Sequence, residues 1–191
     1  MTATTAPSAA ATAAAAPAIR TQQDVILSAP VRRTLAVLRY ATGFIFLWAF
    51  LDKTFGLGFS TPSENAWING GKPSQGFLNS PMVIGPFKDL FNGMASSATD
   101  VLFMLGMLGI GLAVMLGIGT RVAAIAGSLI MAMMWLAEWP IGAAGSNPVV
   151  DYHVIYAIAL ILFAFSYAGE TWGLGKWWSN LPIVRNNQWL R

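Results

Sequence analysis

The chain carries a single histidine, which stands in the polar stretch Asn147-Pro148-Val149-Val150-Asp151-Tyr152-His153 between two apolar runs. Histidine exchanges protons near neutral pH and carboxylates are its natural partners, so His153, Asp151 and Glu138 form a candidate catalytic group for proton transfer. Glu138 lies among Met131, Met134, Trp135 and Trp139 on an otherwise apolar segment. An unpaired carboxylate is costly there, and pairing with Lys53 or His153 relieves the cost. Asp52 and Lys53 close an earlier apolar run. Lys53 is the local cation able to attract an anionic substrate, with Lys72 and Lys88 as helpers; the Asp52-Lys53 pair equally suits a plain helix end with Lys53 reaching outward. Trp135, Trp139, Tyr152 and Tyr156 offer flat walls for a ring such as a quinone, and aromatic residues at that depth also make an ordinary interfacial belt. Asp100, after Ser96, Ser97 and Thr99, reads as a first-turn or capping acid.

Composition removes several chemistries. With no cysteine, the chain has no disulfide, thiolate nucleophile, persulfide carrier or Cys-ligated iron–sulfur cluster. One histidine excludes bis-His haem ligation, and the pattern assigns no metal site. A formal charge of +3 over 191 residues is too small to suggest nucleic-acid binding.

The elements that must position these residues are apolar. Apolar residues make up 55% of the chain and charged ones 10%, against about a quarter charged in soluble domains, so most of the surface faces something other than water. Four apolar runs, residues 35–59, 101–119, 122–139 and 154–167, predict an all-α, integral membrane four-helix bundle. The third and fourth reach the ~20 residues needed to cross ~30 Å of hydrocarbon only with their flanks. Arg20, Arg32, Arg33 and Arg39 precede the first run, Arg121 separates the second and third, and Lys176, Arg185 and Arg191 follow the fourth. By the positive-inside rule both termini are cytoplasmic in a multi-pass protein of the plasma membrane.

Residues 1–30 read as a low-complexity, disordered cytoplasmic tail, residues 31–170 as the transmembrane domain, and residues 171–191 as an interfacial segment rich in tryptophan. The first 18 residues lack the basic start and apolar core of a signal peptide. The long connection over residues 60–99 contains the apolar, Pro-interrupted segment 82–91 and is expected to fold back on the outer face as a lid or interfacial helix. Small-residue stripes Gly109-Ala113-Gly117 and Ala124-Ser128-Ala132 predict contact between the second and third spans.

Depth then orders the ionisable groups. At ~1.5 Å per helical residue, Asp52 lies ~26 Å from Leu35 and Glu138 ~26 Å from Arg121, so both reach one level. Asp52, Lys53, Asp100, Glu138, Asp151 and His153 can converge near the outer headgroup boundary. With no ionisable side chain expected at mid-span and no inverted repeat, a site open to the outer face is favoured over a transporter.

The sequence also resembles a known family. Leu38-Arg39-Tyr40 leading to Asp52-Lys53, then Leu116-Gly117-Ile118-Gly119-Thr120-Arg121, then Asn147-Pro148 with Asp151 and His153, then Ala168-Gly169-Glu170-Thr171-Trp172-Gly173-Leu174, resembles the DoxX/DoxD membrane proteins over residues 35–178. The resemblance implies four transmembrane helices. For the DoxD branch it implies the membrane subunit of a thiosulfate:quinone oxidoreductase, with quinone as electron acceptor and no haem or iron–sulfur cluster. For other members it implies a scaffold docking a soluble redox enzyme, such as a sulfurtransferase or superoxide dismutase, or a respiratory complex. A companion DoxA-type subunit is not encoded within this chain. The expected site is His153, Glu138 and Asp151 for catalysis, with Lys53, Asp52, Trp135, Trp139 and Tyr152 binding substrate.

Overall fold

The computed structural model describes residues 20–141 and 147–191, so most of the low-complexity tail lies outside the described residues. Among the described residues the chain folds into α-helices and short 3-10 turns, with no strand. The α-helices in chain order are α1 (Gln22–Val25), α2 (Ala29–Phe55), α3 (Pro73–Leu78), α4 (Lys88–Gly93), α5 (Ser97–Leu116), α6 (Thr120–Glu138), α7 (Tyr152–Phe165), α8 (Gly175–Asn180) and α9 (Pro182–Asn186). Three of them, α2, α5 and α6, are long and apolar enough to cross a membrane; α7 is equally apolar but has 14 residues.

Local chemistry sets the helix ends. Pro30 sits in the first turn of α2, where its missing N–H costs nothing, and Gly56 ends the helix in the left-handed region at φ 64°. The helix therefore starts six residues before the expected run and stops before residues 57–59. Ser96 caps α5 by accepting from the Thr99 N–H. Gly117 and Gly119, both left-handed, turn α5 back into α6 as the expected hairpin.

The four longest helices share one core, in which Phe46, Met107, Ile110, Val114, Met131, Leu160 and Phe163 meet. Neighbouring pairs are α2 with α5, α5 with α6, α6 with α7, and α7 with α2. Between the long helices, a tight backbone approach joins α2 to α5. A Cβ at Gly111 would lie 2.7 Å from the Leu47 nitrogen and one at Gly43 2.9 Å from the Met115 nitrogen, so glycine lets α2 and α5 pack backbone to backbone. Gly109 faces open space, whereas Ser128 points to α7 and donates to the Ala157 carbonyl. Leu102, Leu105, Ile125, Leu129 and Phe165 are exposed around the outside, an apolar surface suited to lipid.

One end of the assembly is closed by the long connection and the other, called the terminal end, by residues 20–28 and 167–191. At the cap end, Val83 and Phe91 bury with Leu78 against Ala137 of α6, and the Ile84 N–H donates to the Ala137 carbonyl. The segment therefore folds back as expected. At the terminal end, Gln22 is buried, its N–H donating to Glu170 and its side-chain oxygen accepting from Thr171. Residues 22–25 of the stretch assigned to the tail are therefore helical and packed. The segment over residues 171–191 also packs inward, with Val184 fully buried and Trp178 donating to the Leu190 carbonyl, while Trp172, Trp177 and Trp189 stay exposed.

Candidate functional site

The site grows from the cap ends of α6 and α7. Trp135 on α6 donates its indole N–H to the Val149 carbonyl at 2.8 Å, drawing the turn before α7 onto the end of α6. Asn147 holds that turn by accepting from the Val149 and Val150 N–H groups, both at 2.9 Å. Asp151 then caps α7, one oxygen accepting from the His153 and Val154 N–H groups, which fixes the carboxylate beside the ring.

The other Asp151 oxygen lies 2.9 Å from His153 Nδ1. His153 is 1% exposed, with Tyr152 against its ring at a centroid distance of 4.0 Å. A carboxylate at Nδ1 favours the proton there and leaves Nε2 with the lone pair, and Nε2 has no hydrogen-bond partner among the described residues. Glu138 ends α6 beside them. One ligating atom from each of Glu138, Asp151 and His153 lies within 4.8 Å of the others, so these three expected residues do converge. Two carboxylates and an imidazole at this spacing can pass protons or hold a divalent cation.

Two cavities lie at this end of the helices, and Glu138 is the member of the cluster that lines one of them. One of about 820 Å³ is lined by Lys53, Glu138 and Tyr152 together with Ser60, Glu64 and Lys72 from the connection. A second, about 230 Å³, is almost wholly apolar, with Phe77, Phe91, Leu102, Phe103 and Met133 in its wall. Lys53, Pro73, Phe77 and Met134 line both, so Lys53 stands where the polar and apolar spaces meet.

Several expected site residues lie elsewhere. Asp52 is buried and engaged, accepting from the Ser60 N–H and hydroxyl at 3.0 and 2.7 Å and from the Phe59 N–H at 3.2 Å. It ties the first turn after α2 rather than facing the cavity. Asp100 does the same for α3, accepting from the Ser74 N–H and hydroxyl and from the Gln75 backbone and side-chain N–H groups. Trp135 positions the turn, and Trp139 packs against Phe87 at 5.7 Å, so of the expected aromatic walls Tyr152 is the one at the cavity. Trp139 adopts a left-handed φ of 34° to end α6, a conformation its packing must sustain. Glu64 in the cavity wall was not anticipated, because its place depends on how the connection folds.

A second polar cluster lies at the terminal end. Arg39 is fully buried ten residues into α2, where no mid-span charge was expected, because the helix begins earlier than the apolar run. Its guanidinium donates to the Val114 and Met115 carbonyls at 2.5 and 2.6 Å and to those of Thr171 and Trp172, satisfying the last turn of α5. Glu170 accepts from Arg191 at 2.9 Å and from the Gln22 N–H at 2.8 Å, both within the buried interior. Glu170, directly after the apolar stretch Tyr167-Ala168-Gly169, was the available signal for this cluster. The space beside it is about 20 Å³, roughly one water-sized probe, so nothing larger enters.

No family model, curated protein or solved structure matches the chain.

Proposed function

We propose that the chain is the membrane subunit of a quinone-linked oxidoreductase, a DoxX/DoxD-like multi-pass protein of the plasma membrane with an outward-facing site. The observation that carries this reading is the convergence of Glu138, Asp151 and His153, with Glu138 sharing a cavity wall with Lys53. In the membrane, α2, α5, α6 and α7 form a four-helix bundle, with α7 completed to spanning length by its flanks. Arg20, Arg32, Arg33, Arg121, Lys176 and Arg185 gather at the terminal end, which is therefore cytoplasmic, as are both termini.

The chemistry follows from the groups available. Thiosulfate is a dianion attracted by Lys53 and Lys72; two thiosulfates joined by a new S–S bond give tetrathionate and release two electrons. Quinone takes those two electrons and two protons to become quinol. The His153–Asp151 pair, with Glu138 beside it, supplies protons to the reduced ring. With no cysteine in the chain, the two sulfur substrates couple directly or a DoxA-like partner supplies the reactive group.

The test is thiosulfate-dependent quinone reduction by the purified protein in lipid, comparing wild type with His153→Ala. The reading expects turnover that disappears in the variant. A folded wild-type protein with no turnover would instead favour a scaffold for a sulfurtransferase, a superoxide dismutase or a respiratory complex. That second reading draws on the cap, where two buried carboxylates hold a firm surface exposing Phe59, Ile68 and Leu90.

A further inference from the structure

We propose that the apolar cavity beneath the cap binds a single-chain anionic amphiphile of the fatty-acid class, with its chain against α5 and α6 and its carboxylate on Lys53. The cavity lies between the cap and the helices it covers. Phe77 and Phe91 reach it from α3 and α4, Phe103 from α5, and Ile130 and Met133 from α6. Leu102 is also in the wall and is 72% exposed on the apolar outer surface, so the space borders the hydrocarbon from which such a ligand arrives.

The ligand's polarity follows from which polar groups in the wall are already engaged. The Ser74 hydroxyl donates to Asp100 at 2.7 Å and the Thr99 hydroxyl donates to the Met94 carbonyl, so both protons are taken. Lys53 is the one charged residue in this wall. Among the described residues the ion pairs are His153 with Asp151 and Arg191 with Glu170, so no carboxylate holds the Lys53 ammonium. Its neighbour Asp52 is filled by the donors of Phe59 and Ser60. Lys53 lines the polar cavity as well, and its flexible four-carbon stem lets the ammonium stand at the boundary while the methylenes follow the apolar wall. The complement of that arrangement is an apolar chain with a negative end.

Size and charge narrow the class further. At about 30 Å³ per methylene, close to one water's share of the liquid, a space of about 230 Å³ takes about eight carbons. That is one chain of medium length and not the two long chains of a phospholipid. On the polar side Glu64 and Glu138 share the wall with Lys53 and Lys72, so a bulky anionic head reaching further in meets acids as well as bases. A small carboxylate that stops at the boundary suits this wall better than a phosphodiester. A quinone carries no charge for Lys53 to select, so the proposal goes beyond the quinone reading and does not depend on it.

The experiment is photolabelling of the protein in phosphatidylcholine nanodiscs with decanoic acid bearing a diazirine near its methyl end, at mildly alkaline pH where the acid is ionised, followed by peptide mapping. Saturable labelling is expected at Phe103, Ile130 or Met133. Unlabelled decanoate should suppress it at a concentration about 10-fold or more below that needed of decanol, because a charge-assisted hydrogen bond to Lys53 separates the two. Lys53→Met keeps an unbranched stem, removes the charge and should erase the preference for acid over alcohol. The comparison of acid with alcohol on wild type needs no variant and decides the matter if Lys53→Met fails to fold. Labelling confined to lipid-facing residues such as Ile125 and Phe165, decanol competing as well as decanoate, or an undiminished preference in Lys53→Met would each overturn the proposal. So would protection by phosphatidylglycerol in the nanodisc stronger than that by equimolar decanoate, which would assign the space to a two-chain lipid.

Discussion

The two ends of the helix assembly use charge in opposite ways. At the terminal end, Arg39, Glu170 and Arg191 are buried, and their charged atoms meet carbonyls, an N–H and each other around a space that holds one water. At the cap end, among the described residues, Glu138 and Asp151 have no lysine or arginine partner and one nitrogen of His153 has no hydrogen-bond partner, while Glu138 lines a cavity of about 820 Å³. Charges that hold a fold are saturated and sealed, because an unsatisfied buried ion costs several kcal/mol. Charges left partly unsatisfied beside space are the ones available to a ligand, and the cap end has that arrangement. Asp52 and Asp100 sit at the cap end too, yet each carboxylate is filled by N–H and hydroxyl donors. Saturation, more than location, separates the two uses.

The contrast is open to direct attack, beginning with the largest effect. Glu170→Ala strands the Arg191 guanidinium and the Gln22 N–H in the interior and should cost about 3–5 kcal/mol, read as a large fall in Tm in detergent or lipid. A loss below about 1 kcal/mol would mean that the terminal cluster is not the clamp described. Asp100→Ala should come next, at about 1–3 kcal/mol, because it leaves the first N–H groups of α3 without an acceptor. Limited proteolysis of the connection should accelerate in step, and an unchanged digestion rate would show that the cap is held by its apolar contacts alone.

Glu138→Gln is the sharpening case. With no partner to lose among the described residues, it should leave stability within about 0.5 kcal/mol of wild type while turnover falls about 100-fold or more. The smallest effect concerns Asp24. The Thr21 N–H and hydroxyl, at 2.7 and 2.8 Å, hold its carboxyl below the usual range. The contact is therefore complete above the ordinary aspartate value and is lost as pH falls through the lowered one. Acidification should raise hydrogen exchange over residues 21–25 before it disturbs the helices, and simultaneous loss of both would contradict so local a role.

Much of this was readable from the sequence where the signal was strong and local. The apolar runs located α2, α5, α6 and α7 to within a few residues, and Asp151 two positions before His153 fixed their meeting once a helix began there. Glu138 was legible as the one acid on α6. What escaped depended on partners far along the chain. Asp52 and Asp100 could be placed at the right level, but their donors at residues 59–60 and 74–75 belong to a connection whose path no periodicity encodes. Arg39 was counted as a basic flank because its acceptors, the last carbonyls of α5, lie some 75 residues away. The small-residue stripes were right that α5 and α6 touch, but they did not reveal the contact of α2 with α5 that Gly43 and Gly111 carry, because which glycine faces a neighbour is decided by packing, not spacing.

The account's central claim is that the unsaturated cluster at the cap end does chemistry. The measurement that tests it most directly is thiosulfate-dependent quinone reduction and Tm determined together on wild type and Glu138→Gln in the same lipid. The account predicts equal Tm values and turnover that survives only in wild type. Turnover undiminished in the variant, or absent from a folded wild-type protein, would contradict it.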